Sequence, residues 1–496
     1  MSPTSESIAK NVRKEVESLL NLVMHAGPER PTADQVERRL WSGLLALGRM
    51  LMQLFFTVCS ERETRHKALE DEGGCRAHMG QLPRQYVSLF GEVEVKRHYY
   101  WSAGVGGRYP LDAELSLPER IFSDCVQEML GAIEVWVPQD HTLKLIEQFF
   151  GLSIPKGSLQ GSAADQAAYV EAYYDQRAVP APLAEDTILV VTVDGKGIPM
   201  TRRDSPPPQA RRSKGQKKTA TKEAVVTATY TVAPYPRTRD DIIQALLAEA
   251  RAPDASPKTP VRPAIHGKQT FGTLAGKTVA LEQLSARVAQ RQQTSIVHRV
   301  ALTDGALALQ QQTVAAFPGF TLILDLIHAV EYLWDAVNVL LGETHPARLA
   351  WMTDALHCVL DNDLERLLDH LDYQRSAPAL SPAQQKTLTT VVNYLRRNQP
   401  YMHYQHYLTQ GWPIGTGVIE GACRHLVKDR FEQSGMHWSR AGADAMLRLR
   451  AVALNDDWAD FQYFRRQLAH VSRYGSPYPE PVLGCSPEPL ILEMAA

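Results

Sequence analysis

The chain has six cysteines, at 59, 75, 125, 358, 423 and 485, and no two of them form a Cys-x-x-Cys pair. That scatter argues against a disulfide framework and a thiolate zinc site, and fits a reducing cytosol. Long apolar runs are also missing. The best stretch, residues 44–58, is broken by Arg49 and Gln53, so neither a transmembrane helix nor a membrane partner is expected. The opening MSPTSESIAK lacks the basic-then-apolar order of a signal peptide. Nor is there an excess of basic charge. At a formal net charge of −2 the chain does not show the overall basic footprint of many nucleic-acid binders.

What is present is ordinary globular composition over 496 residues, enough for two to four domains and a large core. Charge is segregated locally: residues 202–222 carry eight basic side chains, including Arg211, Arg212, Lys214, Lys217 and Lys218, against the single acid Asp204. A loop of this kind either stays solvated or lies along phosphates.

The run 187–200, TILVVTVDGKGIPM, organises the rest. Its apolar, β-branched residues read as a buried strand that breaks at Asp194-Gly195. Two readings fit that pair. A carboxylate where a buried sheet meets water can hold a metal or act as a base without the full cost of a buried charge. Alternatively, Asp-Gly is a hairpin turn into a second strand at 196–203.

Upstream, residues 1–35 read as a polar helix, 33–62 as a long apolar-striped helix, and 85–100 as a strand or hairpin pair. Residues 143–166, LKLIEQFFGLSIPKGSLQGSAADQ, reproduce the layout of a helix-turn-helix, with a glycine turn at Gly151 and a second helix N-capped by Ser158. A simple helical hairpin fits the same letters. The proline- and alanine-rich stretch 178–184 reads as a linker.

Downstream, strands are expected at 224–232, 296–303 and 321–324, and helices at 240–251, 271–291, 307–316 and 327–341. The last two strands end in Asp304 and Asp325, each just before a helix. That is the α/β crossover pattern, which gathers strand ends on one edge of a sheet. Residues 330–406 are helical in pattern, and WPIGTG at 412–417 is a glycine-rich turn. The helix after it carries Glu420, Arg424 and Lys428 at i, i+4 and i+8. Beyond Gly475 a proline-rich tail is expected to be loosely held.

Asp194, Asp304 and Glu420, with Asp325 as the alternative, form the candidate constellation. Converging carboxylates repel unless a divalent cation neutralises them, and hard oxygen ligands select Mg²⁺ or Mn²⁺. Two such ions ~4 Å apart can activate an attacking oxygen and stabilise a departing one. Taken singly, each carboxylate also fits a turn or a helix cap, Asp304 above all.

TVDGKGIP, LTDGA, FPGFTLILDLIHAVEYLW and PIGTGVIEGACRHLVKDRFEQSGMHWSRAGADAMLRLRA follow one another over residues 187–455. In that order they resemble the DDE transposases of the Kra-type insertion sequences, which are distantly related to the Mutator-like group. The resemblance implies an α/β, ribonuclease-H-like core (185–329 and 411–455) interrupted by an all-helical insertion (330–410). It also implies a mainly helical DNA-binding region (1–180) and a C-terminal tail (456–496). Asp194, Asp304 and Glu420 match the catalytic, metal-binding trio, and Asp325 with His328 matches the family's Asp-x-x-His element.

Arg424, Lys428, Arg430, Trp438 and Arg440 would face DNA or support the glutamate helix, and Trp412 or Trp438 would stack on a displaced base. Relatives often carry cysteines in the loop at 99–107. This chain has none there, so no structural zinc is expected. The implied activity uses two Mg²⁺ or Mn²⁺ ions to cut the element's inverted repeats and join the 3′-hydroxyls to target DNA. Its partners would be double-stranded DNA and a second copy of the chain, as a dimer or larger synaptic assembly. A catalytically silent DNA-binding derivative and a nuclease without strand transfer are the alternatives.

Overall fold

The computed structural model describes residues 4–24, 31–71, 74–177, 187–204, 221–247, 262–291, 295–377 and 380–479. The chain is mixed α/β and divides into two compact units, one formed by Met1–Tyr173 with Asp456–Ala496 and the other by Tyr174–Asn455.

In the first unit, helix Ala33–Arg62 starts on a capping box at Thr32, whose hydroxyl accepts the Gln35 amide. By length and composition alone this helix could cross a membrane. One face of it docks on a hairpin instead. The Gln53 side chain exchanges two 2.9 Å hydrogen bonds with the Glu94 backbone, and Phe56 is buried with Val93 and Val95. The sheet is antiparallel, with strands β1 (Ala68–Asp71), β2 (Gly74–Ser88), β3 (Gly91–Ser102) and β4 (Gly106–Arg108) in that order. The hairpin expected at 85–100 is its central pair, and β1 and β4 are additions to a region read as mainly helical.

The helices expected in 143–166 form at Gln139–Phe150 and Lys156–Ala167, separated by left-handed Gly151. The second begins before Ser158, whose amide donates to the Pro155 carbonyl at 2.9 Å. Pro155 stands where no amide is needed, so the chain turns helical directly after it.

The segment that precedes the proline-rich tail, within the C-terminal region 456–496, is part of this unit. Helix Trp458–Tyr474 buries Phe461 fully, and Arg466 reaches the buried Glu128 at 2.7 Å. The tail beyond residue 479 lies outside the described residues. A chain ending at Asn455 would lose the Arg466–Glu128 ion pair and the buried Phe461 together. Such a chain is expected to lose the protease resistance of residues 1–173, and an unchanged digestion pattern would contradict this packing.

The second unit holds five strands: β5 (Ile188–Pro199), β6 (Thr221–Val232), β7 (Ile265–Thr273), β8 (His298–Thr303) and β9 (Thr321–Leu324). Their spatial order is β7-β6-β5-β8-β9; β5 is antiparallel to β6 and parallel to β8, and β9 is parallel to β8. Two expectations fail here. The strand does not break at Asp194-Gly195 but runs on to Pro199, paired throughout with β6, so residues 196–199 extend β5 rather than start a new strand. Strand β7 was not expected and runs into the start of the helix expected at 271–291, which begins only at Lys277. As an edge strand, β7 exposes its first four residues and needs no apolar alternation there.

Helices fill both faces. One core cluster joins Ile188, Val190 and Ile323 of the sheet to Leu333, Leu356 and Leu395, so the helices after 330 share the sheet's core rather than form a separate body. The other face is closed by Leu281, Leu284 and Leu309 against Leu189 and Val191.

Candidate functional site

Strand register sets the site. β5 and β8 pair up to Thr192 opposite Leu302, and continuing two residues places Asp194 level with Asp304. β8 and β9 pair up to Thr303 opposite Leu324, and one more residue places Asp304 level with Asp325. Three aspartates therefore stand in a row across adjacent strands at the edge where β8 and β9 end. In that register Asp304 stands between the other two, on the strand that separates theirs.

Asp194 is mid-strand towards β6 but beyond the end of β8, which leaves it half-buried on one side only. Its Oδ1 accepts the Gly195 amide at 2.6 Å, and its Oδ2 accepts the Cys423 thiol at 3.3 Å. Burial, followed by the Asp194 charge, pushes that thiol well up from its ordinary value, keeping Cys423 a neutral donor.

Asp304 is also half-buried. Its Oδ1 accepts the Ala306 amide at 3.0 Å, a local turn and not a cap on the next helix, whose N-cap is Ala306. The loop is clamped by the helix Pro382–Asn398. Tyr394 donates its hydroxyl to the Asp304 carbonyl at 2.9 Å, and Arg397 donates to the Gly305 carbonyl at 2.7 Å. Gly305 has φ +87°, and a Cβ there would lie 2.7 Å from the Tyr394 hydroxyl, so the clamp requires glycine.

The capping role that fits Asp304 in sequence belongs to Asp325. It is fully buried at the start of helix Leu326–Leu341, where Oδ1 accepts the Ile327 amide at 2.9 Å. Its Oδ2 meets both the Thr416 hydroxyl and His328 Nδ1, the latter at 2.8 Å. Thr416 Oγ1 also lies 3.5 Å from Glu420 Oε1, and Leu326 donates its amide to Ile414 at 2.9 Å. Asp325 thus ties the glycine turn that launches the Glu420 helix to the sheet edge.

The Asp325 hydrogen bond raises the His328 imidazole to about 9, outweighing its partial burial. An unfolded histidine titrates near ~6.5. The stabilisation is therefore complete below ~6.5 and is lost as pH rises through about 9. Melting temperature is expected to fall across that window in the parent protein and to stay flatter in His328→Gln. Parallel curves would contradict the bond.

Glu420 is exposed on helix Gly417–Ala422, which continues as a π-helical turn over Cys423–Lys428. This turn breaks the i, i+4, i+8 face expected for Glu420, Arg424 and Lys428, because a π turn advances by more residues than an α turn. Arg450 supports it, donating Nε to the Leu426 carbonyl at 2.9 Å and another nitrogen to His425.

Arg424, Lys428 and Arg440 are exposed. Arg430 and Trp438 are buried, with the guanidinium 4.8 Å over the indole. Trp438 also exchanges backbone hydrogen bonds with Pro199 and Thr201. These two side chains are therefore enclosed within the unit and not exposed for contact with DNA. Trp412, 8% exposed and stacked on Tyr407, is likewise packed, so neither tryptophan is placed to stack on a base. The five basic residues Arg211, Arg212, Lys214, Lys217 and Lys218, and the linker at 178–184, lie outside the described residues.

Tyr394, Arg397, Thr416 and Cys423 have no signal in the sequence that marks them, since each acts across 90 or more residues of chain except on its nearest neighbours. Among the described residues no three His, Cys, Asp or Glu side chains are gathered closely enough to hold a metal ion. The donor chemistry of Asp194, Asp304 and Glu420, all carboxylate oxygen, nonetheless suits a hard divalent cation. Comparison with protein-family models and with curated proteins yields no match for the chain.

Proposed function

We propose that the chain is a transposase of the DDE type, similar to those of the Kra-type insertion sequences, and that its second unit is a ribonuclease-H-like catalytic core. The observation that supports this reading is the strand register, which carries Asp194 and Asp304 to the same level of two adjacent parallel strands, with the turn that launches the Glu420 helix anchored to the same sheet edge through Asp325. Strand order β7-β6-β5-β8-β9, with β6 antiparallel to both of its neighbours and β5, β8 and β9 parallel, agrees with it. Asp304 is favoured over Asp325 as the second catalytic aspartate, because Asp325 is buried and its oxygens are engaged with Ile327, His328 and Thr416. Asp194, Asp304 and Glu420 would hold Mg²⁺ or Mn²⁺, which when bound supplies activation of the attacking oxygen and charge stabilisation on phosphate.

The residues of the chain do the positioning. Cys423 orients Asp194, the Tyr394–Arg397 clamp fixes the Asp304 loop, and Thr416 holds the base of the Glu420 helix. The exposed Arg424, Lys428 and Arg440 would meet phosphates, and the paired helices Gln139–Phe150 and Lys156–Ala167 would read the element's ends. Action on two ends calls for two copies of the chain, and a cytosolic location follows from the same reading.

The test is incubation of the full chain with Mg²⁺ and a duplex carrying the element's own end, with products resolved by length. Strand-joined products are the expected result. Nicks alone would point to a nuclease of the same core, and retained binding without any cut would point to a silent DNA-binding derivative.

A further inference from the structure

We propose that the first unit carries a phosphate-binding site, separate from the carboxylate row and independent of the function assigned to it. A cavity of ≈ 710 Å³ lies beside the β2–β3 hairpin, lined by Arg84, Arg97, Arg108, Arg473, Tyr109 and Tyr474, with Asp112 and Glu119 as its only acids. Four guanidiniums against two carboxylates leave an excess of two positive charges in one concave space. Concave basic surfaces focus potential and concentrate anions.

The arginines are held, not loose. Arg84 and Arg97 project from neighbouring strands, and both reach Asp112, Arg97 at 2.6 Å and Arg84 at 3.4 Å. Arg84 is further fixed by the Glu119 and Arg120 carbonyls, and Arg97 lies 4.0 Å over the Tyr109 ring. Arg473 is anchored by the Leu117 carbonyl at 3.2 Å. One carboxylate thus serves two guanidiniums. The Arg97 side chain is only 7% exposed, and its Nε is buried with no hydrogen-bond partner among the described residues. Planar guanidiniums pair with phosphate through two parallel hydrogen bonds, and the volume accommodates a phosphorylated group.

The ligand chemistry is therefore phosphate, borne either by a small molecule or by a nucleic-acid backbone. Titration calorimetry of the full chain with pyrophosphate, and separately with a short duplex of unrelated sequence, distinguishes the two sources. Arg108→Gln and Arg473→Gln leave in place Arg84 and Arg97, whose ion pairs with Asp112 hold the hairpin. Each is expected to weaken the bound probe ~10-fold, with Arg108→Lys recovering part of the loss. A loss confined to pyrophosphate identifies a small phosphorylated ligand. A loss confined to the duplex, with the salt dependence shallower by ~1 per variant, identifies a backbone phosphate. Unchanged affinity for both probes in both variants, or failure of the parent to bind either, overturns the site and leaves the arginines as cross-links around Asp112.

Discussion

Asp194→Ala, Asp304→Ala and Glu420→Ala are each expected to lower DNA cleavage and joining by ~10³-fold or more, an effect of at least ~4 kcal/mol on the barrier. The fold is expected to survive all three. Glu420 is exposed, and Asp194 and Asp304 are half-buried at an open sheet edge. Asp194 and Asp304 stand level across adjacent strands, and removing either negative charge relieves repulsion in the metal-free protein. Melting temperature is therefore expected to hold or rise in Asp304→Ala while activity disappears. Product gels with Mg²⁺, run beside thermal melts, check both parts. Activity retained in any one of the three would remove that residue from the site.

Asp325→Ala is expected to behave in the opposite way, losing ~3–5 kcal/mol of stability and melting ~10 °C lower, with activity falling because the fold around the site loosens. Its carboxylate is fully buried, caps helix Leu326–Leu341, and is shared by Thr416 and His328. Truncation leaves the Ile327 amide uncapped, the Thr416 hydroxyl without its acceptor and His328 without its counter-charge. Asp325→Asn keeps an acceptor for the Ile327 amide and should recover part of the loss. It should also return the imidazole towards its ordinary range, flattening the pH dependence of melting above ~7. An inactive Asp325→Ala protein that melts like the parent would instead place Asp325 among the reacting groups. The pair Asp304→Ala and Asp325→Ala thus separates a residue that acts at the site from one that builds it. Activity alone would not make that distinction.

Much of the core was legible in sequence because its signals are local. The β-branched run before Asp194, the strand 321–324 and the helix 307–316 are each encoded by their own periodicity, and the last two appear with the expected bounds. Two aspartates ending consecutive strands could be read for the same reason: a parallel strand followed by a helix puts its last residue on the sheet edge. Strand β7 was not legible, because an edge strand with a solvated first half carries no apolar alternation. The helix at 458–474 has a buried face, but the partner that buries it lies more than 300 residues earlier in the chain.

The roles of the residues were decided only by tertiary structure. Asp304 and Asp325 look interchangeable in sequence, each an acid ahead of a helix. Packing separates them: one is left at a half-open edge under the Tyr394–Arg397 clamp, and the other is buried under Thr416. For Trp438 and Arg430 the family resemblance left open a DNA-facing or a supporting place, and the two stack on each other inside the unit. Sequence by itself determined which residue types stand at strand ends and helix starts, since those depend on neighbours a few positions away. Which of them face water and which are enclosed was decided by contacts between segments 90 to more than 300 residues apart, whose energies have no counterpart in local pattern.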